Sequence, residues 1–153
     1  MYMIQWIKEI RWGKVLLVGV LFTVLSTVIH QVEAMLTMNY YIDPQYFGVW
    51  SKLMMPKAGP PPGEFMLMSL VISFVTGVSV TLIYYYLKDL LPKNTFRRIF
   101  LFADLLIATL FIFFTLPVYL MFNVPVGLLV SWFVSSFITL TVASAMIVKI
   151  VGK

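Results

Sequence analysis

The sequence predicts an all-α polytopic membrane protein with four transmembrane helices and both termini on the cytoplasmic side. Three observations carry this reading. Hydrophobic residues make up 61% of the 153-residue chain and charged residues 11%, against roughly 45–50% and 25% in an average soluble domain. The apolar residues gather into four runs, each long enough to cross a hydrocarbon core of about 30 Å at 1.5 Å per residue. The basic residues flank those runs with a strong bias to one side. A chain of this size cannot bury so much apolar surface in water, so lipid is its natural solvent.

The first span is expected over 14–38. It follows Lys8, Arg11 and Lys14 and could be mistaken for a signal peptide, with Val32-Glu33-Ala34 as a cleavage-like tripeptide. No secreted domain follows, so a retained helix is expected. The second span, 65–87, has no formal charge. The third covers 99–122 and contains Pro117, which should bend its outer end. The fourth covers 126–148. Only Asn123-Val124-Pro125 separates the last two, which requires a tight antiparallel hairpin. The four spans form one domain over 1–153.

Orientation follows from the cations. With the amino terminus inside, nine basic residues (Lys8, Arg11, Lys14, Lys88, Lys93, Arg97, Arg98, Lys149, Lys153) face the cytoplasm and two, Lys52 and Lys57, face outward. That bias is the positive-inside rule. It also accounts for the net charge of +5 without nucleic acid, because no basic stripe with interleaved polar groups exists. The expected setting is a cell membrane, with the bilayer as the first partner.

The outer loop 39–64 has internal order. Asp43-Pro44 is a helix start, with Asp as N-cap and Pro at the first position. Tyr46, Phe47, Val49, Trp50, Leu53 and Met54 recur at helical spacing until Pro56. A short helix is expected there, at the membrane–water interface or tucked into the bundle mouth, with Tyr46, Phe47 and Trp50 as anchors. Gly59-Pro60-Pro61-Pro62-Gly63 reads as a stiff extended linker. Tyr2, Trp6 and Trp12 should anchor the inner face.

Helices in lipid associate through small residues, because apolar side chains cannot distinguish lipid from protein. Ser69, Ser73, Gly77 and Thr81 form such a stripe on the second span. Gly127, Ser131, Ser135, Thr139 and Ala143 form one on the fourth. These two helices are expected to pack closely, on each other or on a neighbour, and the chain reads as two helical hairpins. The first span carries Gly19, Thr23, Ser26, His30, Glu33 and Thr37 at alternating steps of four and three, a polar face that should avoid lipid.

His30, Glu33 and Asp104 are the candidate polar or ion site. A charge within the bilayer costs about 2.5–3.5 kcal/mol on insertion scales, so each needs a partner or a wet cavity. His30 and Glu33 meet on one face, either as a proton- or ion-responsive pair or as groups that tether the outer loop. Asp104 is expected to pair with Arg97, Arg98 or Lys14, or to bracket a proton path with His30 and Glu33. Seven of the ten Met residues lie toward the outer side. Thioethers are soft Cu(I) ligands, and Met35, Met38 and His30 are the candidates, although Met also fills irregular gaps.

No catalytic residue is assigned. There is no Cys and one His, which excludes disulfides, thiolate metal sites and bis-His haem ligation. GxSxG, HExxH and phosphate-cradling Gly loops are missing, so an enzyme is not expected and no cofactor is predicted. His30 late in the first span, Tyr40-Tyr41, Val49-Trp50, Met54-Met55, Pro117, Asn123-Val124-Pro125 and Trp132 together resemble a set of small prokaryotic four-helix membrane proteins of unknown function. The likeness implies the four-helix fold and no activity, and the GPPPG linker departs from it. The expected function is an accessory or scaffolding subunit of a membrane complex, or a homo-oligomer. The alternatives are a small transporter or channel using His30 and Glu33, and an outer-face binder of lipid, quinone or Cu(I).

Overall fold

The computed structural model describes residues 5–57 and 60–152. Tyr2, Gly59 and Lys153 lie outside the described residues, as does the side chain of Trp6. Every regular element described is helical. Four helices are long and apolar enough to cross a membrane: Trp12–Leu36, Gly63–Leu87, Thr95–Met121 and Val126–Val151.

A single turn, α1 (Gln5–Lys8), precedes the first span, α2 (Trp12–Leu36). That helix ends where Thr37 turns out of helical geometry (φ −114°) while both its N–H and its hydroxyl bond the Glu33 carbonyl, at 3.0 and 2.8 Å. One more turn, α3 (Met38–Ile42), follows. The loop then makes a 3-10 helix over Pro44–Val49, started as expected by Asp43, whose carboxylate accepts the Gln45 N–H at 2.9 Å. It stops at Val49, short of the expected Met54, because Trp50 is extended (ψ 141°). A 3-10 helix has poorer hydrogen-bond geometry than an α-helix and rarely runs further.

The second span, α4 (Gly63–Leu87), begins after Pro62, whose φ of −70° and ψ of 160° are those of polyproline II. The third begins at Thr95, four residues before the apolar run, because the Asn94 side chain accepts the Arg97 N–H at 3.1 Å and caps α5 (Thr95–Leu110). Its end nearest Asn123 is remodelled as Pro117 predicts. A π-turn, Phe111–Thr115, in which the Leu116 N–H reaches the Phe111 carbonyl, joins α5 to α6 (Leu116–Met121). The widened turn makes room for a ring that would clash with the carbonyl four residues earlier. The fourth span, α7 (Val126–Val151), runs three residues beyond the expected end at Val148.

The architecture is two antiparallel hairpins, α2 with α4 and α5 with α7, joined by α2 packing on α7. The small-residue stripes therefore do not build one shared α4–α7 contact; each helix lies on α2. At the α2–α4 crossing a Cβ on Gly77 would stand 2.7 Å from the Phe22 Cβ and 3.1 Å from the Gly19 Cα, and one on Gly19 would meet the Phe74 ring at 2.8 Å. Two backbones come this close only where neither residue has a side chain. The core lies at the end carrying the termini, where Val15, Val18, Val80, Tyr84, Phe102 and Ile147 are buried together. There Tyr84 meets Phe102 edge-on, ring centroids 5.3 Å apart. Elsewhere α4 and α5 make no extensive contact.

Candidate functional site

Two adjoining polar features occupy the half of the bundle nearest the Asn39–Glu64 loop. The first is built on Glu33. It is buried, and its Oε1 accepts the Ser131 hydroxyl of α7 at 2.8 Å and the Thr37 hydroxyl at 2.9 Å. Thr37 has one hydroxyl proton and also faces the Glu33 carbonyl, so it serves only one of these acceptors at a time. The Tyr41 phenol lies in the same group, close to Glu33 and Thr37, and accepts the Trp132 indole N–H at 2.8 Å. Burial, chiefly, and the neighbouring carboxylate push the Tyr41 hydroxyl up to about 12 from an ordinary value near 10. Trp50 stacks on Tyr41 (centroids 5.0 Å) and meets Trp132 edge-on (6.2 Å). Its own indole N–H is buried without a partner among the described residues. Gly127 leaves the space that the Tyr40 hydroxyl fills. Glu33 thus ties the first span to the fourth and, through Tyr41 and Trp132, seats the loop.

The second feature is an open cleft of about 250 Å³ among all four spans. Phe22, Ile72, Leu110 and Leu140 supply apolar wall, while Ser26, Ser73, Thr76, Ser136, Thr139 and His30 supply polar groups. Thr76 and Thr139 spend their hydroxyl protons on carbonyls four residues back, each at 2.8 Å. Ser26, Ser73, Ser136 and His30 make no hydrogen bond to any described residue. Four groups able to donate or accept therefore surround one cleft without a hydrogen bond to a described residue. The cleft lies beside the π-turn, which begins one residue after Leu110.

The structure sorts the expected residues. His30 and Glu33 share a helix but line different features: Glu33 faces the loop cluster and His30, exposed, lines the cleft. Asp104 does not pair as expected. Arg98 instead bonds the Pro92 carbonyl at 2.8 Å and the Tyr84 hydroxyl at 3.4 Å, and Lys14 bonds the Ile150 carbonyl. Phe102 and Ala103 form the buried face of α5, so Asp104, one residue further round, is exposed. Nor does it line the cleft that holds His30. Met35 and Met38 are exposed and line neither feature, and no group of three His, Asp or Glu residues is gathered among the described residues. Ser131, expected to be a packing residue, is a ligand of Glu33. Ser69 bonds the Met66 carbonyl, Ser135 the Trp132 carbonyl and Thr81 the Gly77 carbonyl. Tyr46 and Phe47 are half-buried beside Trp50 in sequence.

Tyr41 and Trp132 were not singled out as partners of Glu33. A signal existed: Tyr41 follows Glu33 by eight residues, two helical turns on one face, and Trp132 adjoins Ser131.

No family model, characterised protein or solved structure matches this chain.

Proposed function

We propose that this protein is a non-catalytic subunit of a membrane assembly, joined through its third span to a second membrane protein or to another copy of itself. The observation that supports this reading is Asp104. It is exposed and lacks a partner among the described residues. It stands six residues, about 9 Å along the axis, beyond Arg98. A lone carboxylate at that depth costs a few kcal/mol in lipid, which a donor on a neighbouring helix would relieve. The third span is also the least enclosed, with 11% of its most apolar window buried against 28% for the first and fourth.

In this reading the end bearing Lys8, Arg11, Lys14, Lys88, Lys93, Arg97, Arg98 and Lys149 faces the cytoplasm of a cell membrane, and the Pro44–Val49 helix lies at the outer interface. Purification from native membranes should yield a stoichiometric complex, and Asp104→Leu should release a folded monomer. A wild-type protein that leaves native membranes alone and monodisperse would refute the proposal.

The cleft favours a second reading, a small transporter or channel, or a binder of an amphipathic headgroup such as a quinone or lipid. Free hydroxyls and an imidazole inside a bilayer are what a permeating or bound polar group needs. His30→Ala should abolish pH-dependent flux in liposomes. Equal flux by variant and parent would remove His30 from any such path.

A further inference from the structure

The end of the bundle that carries the termini holds a second pocket, of about 590 Å³, which neither reading above uses. Lys8 and Arg11 reach it from the start of the chain, Lys88 from the end of α4 and Arg98 from α5. Two carboxylates, Glu9 and Asp89, complete its charge. Glu9 is neutralised by an ion pair with Lys88. Four cations against two anions leave an excess of two positive charges in one concavity.

The uncharged groups point the same way. Tyr84 and Tyr85, both buried, line the pocket. The Tyr85 oxygen accepts the Arg11 backbone N–H at 3.1 Å and the Tyr84 oxygen accepts Arg98 Nη1 at 3.4 Å. Each hydroxyl is thus used as an acceptor, and its own proton has no acceptor among the described residues. The Lys8 and Arg11 side chains likewise make no bond to a described residue. Unspent donors and positive charge together call for a ligand rich in acceptor oxygens. Part of the positive charge offsets the carbonyl ends of α4 and α7, which terminate here. That role does not use the two phenol protons.

We propose that this pocket binds the phosphate group of an anionic lipid, held by Lys8, Arg11 and Arg98 and by donation from the Tyr85 hydroxyl, while Tyr84, fully buried beneath Gly152, positions Arg98. The lipid source is favoured because the pocket adjoins the ends of membrane-spanning helices, where headgroups lie, and basic pockets between spans commonly select anionic headgroups.

The test uses the full chain in detergent micelles doped with phosphatidylglycerol or phosphatidylcholine at equal mole fraction, or in buffer containing inorganic phosphate. Bound lipid is read by native mass spectrometry and stability by thermal unfolding. Phosphatidylglycerol should be retained at least tenfold over phosphatidylcholine and should raise the unfolding midpoint. Lys8→Gln/Arg11→Gln, which removes no bond to a described residue, should lose at least tenfold of that preference, while Lys52→Gln/Lys57→Gln should keep it. Tyr85→Phe should weaken retention with both cations still in place. Equal retention of the two lipids, an unchanged preference in Lys8→Gln/Arg11→Gln, or stabilisation by inorganic phosphate without lipid selectivity would each overturn the assignment.

Discussion

Gly77→Leu should abolish the folded bundle, with a loss of about 3 kcal/mol or more in unfolding by denaturing detergent. A Gly in a helix interior costs roughly 1 kcal/mol relative to Ala, so this position carries an intrinsic penalty that close packing must offset. Even the first carbon of a side chain would stand 2.7 Å from the Phe22 Cβ and 3.1 Å from the Gly19 backbone. No rotamer relieves a clash made by Cβ itself, and the backbone atom opposite cannot swing aside. The α2–α4 crossing would have to open, and overpacking of this kind costs about 1–3 kcal/mol even where side chains can shift. Gly77→Ala should show a smaller loss in the same direction. Gly48→Ala, where no atom lies within 4 Å of the added carbon, should be near neutral. A stable Gly77→Leu protein would mean that the two helices do not cross at these residues.

Glu33→Ala should cost about 2–3 kcal/mol and detach the loop. The carboxylate accepts hydroxyls from two segments, and hydrogen bonds to a charged group contribute about 1.5–3 kcal/mol each when a partner is stranded. Ser131 would lose its acceptor outright, whereas Thr37 keeps the Glu33 carbonyl at 2.8 Å. The loss should therefore be nearer one strong bond than two. Tyr41 would lose a neighbour that helps position its phenol, so the Trp50 stack should loosen and tryptophan fluorescence should change with the unfolding midpoint. Glu33→Gln keeps an oxygen acceptor in the same place and should retain most of the stability. If Glu33→Gln were as damaging as Glu33→Ala, charge and not hydrogen bonding would hold this corner. If neither moved the fluorescence, the loop would not be seated through Glu33.

Much of the architecture was legible from one-dimensional patterns. Span number and approximate length follow from apolar runs, because the backbone must satisfy its own hydrogen bonds in lipid and only a helix of about 20 residues does so. Asp43-Pro44 started a helical turn, Pro117 disturbed the third span and Asn123-Val124-Pro125 closed a hairpin, since each acts within a few residues of itself. The polar face of the first span was readable in part: Gly19, Ser26, Glu33 and Thr37 are buried, whereas Thr23 is half-buried and His30 is exposed at the cleft. The Pro44–Val49 helix is shorter than the aromatic spacing predicts, because Trp50 is drawn out of helical geometry, where it meets Tyr41 and Trp132.

By itself, the sequence determined a membrane protein of four spans, the basic flanks from which its orientation is inferred, and one first helix with ionisable groups on a single face. These properties depend on local composition and on the 3.6-residue period. Only the tertiary structure decided which helices touch, that Glu33 and His30 line different features, that Asp104 is left exposed, and that a hydroxyl-lined cleft opens among the four spans. Helix rotation and crossing points set those outcomes. In lipid both depend on the fit of small residues such as Gly19 and Gly77, and apolar pattern carries almost no information about that fit.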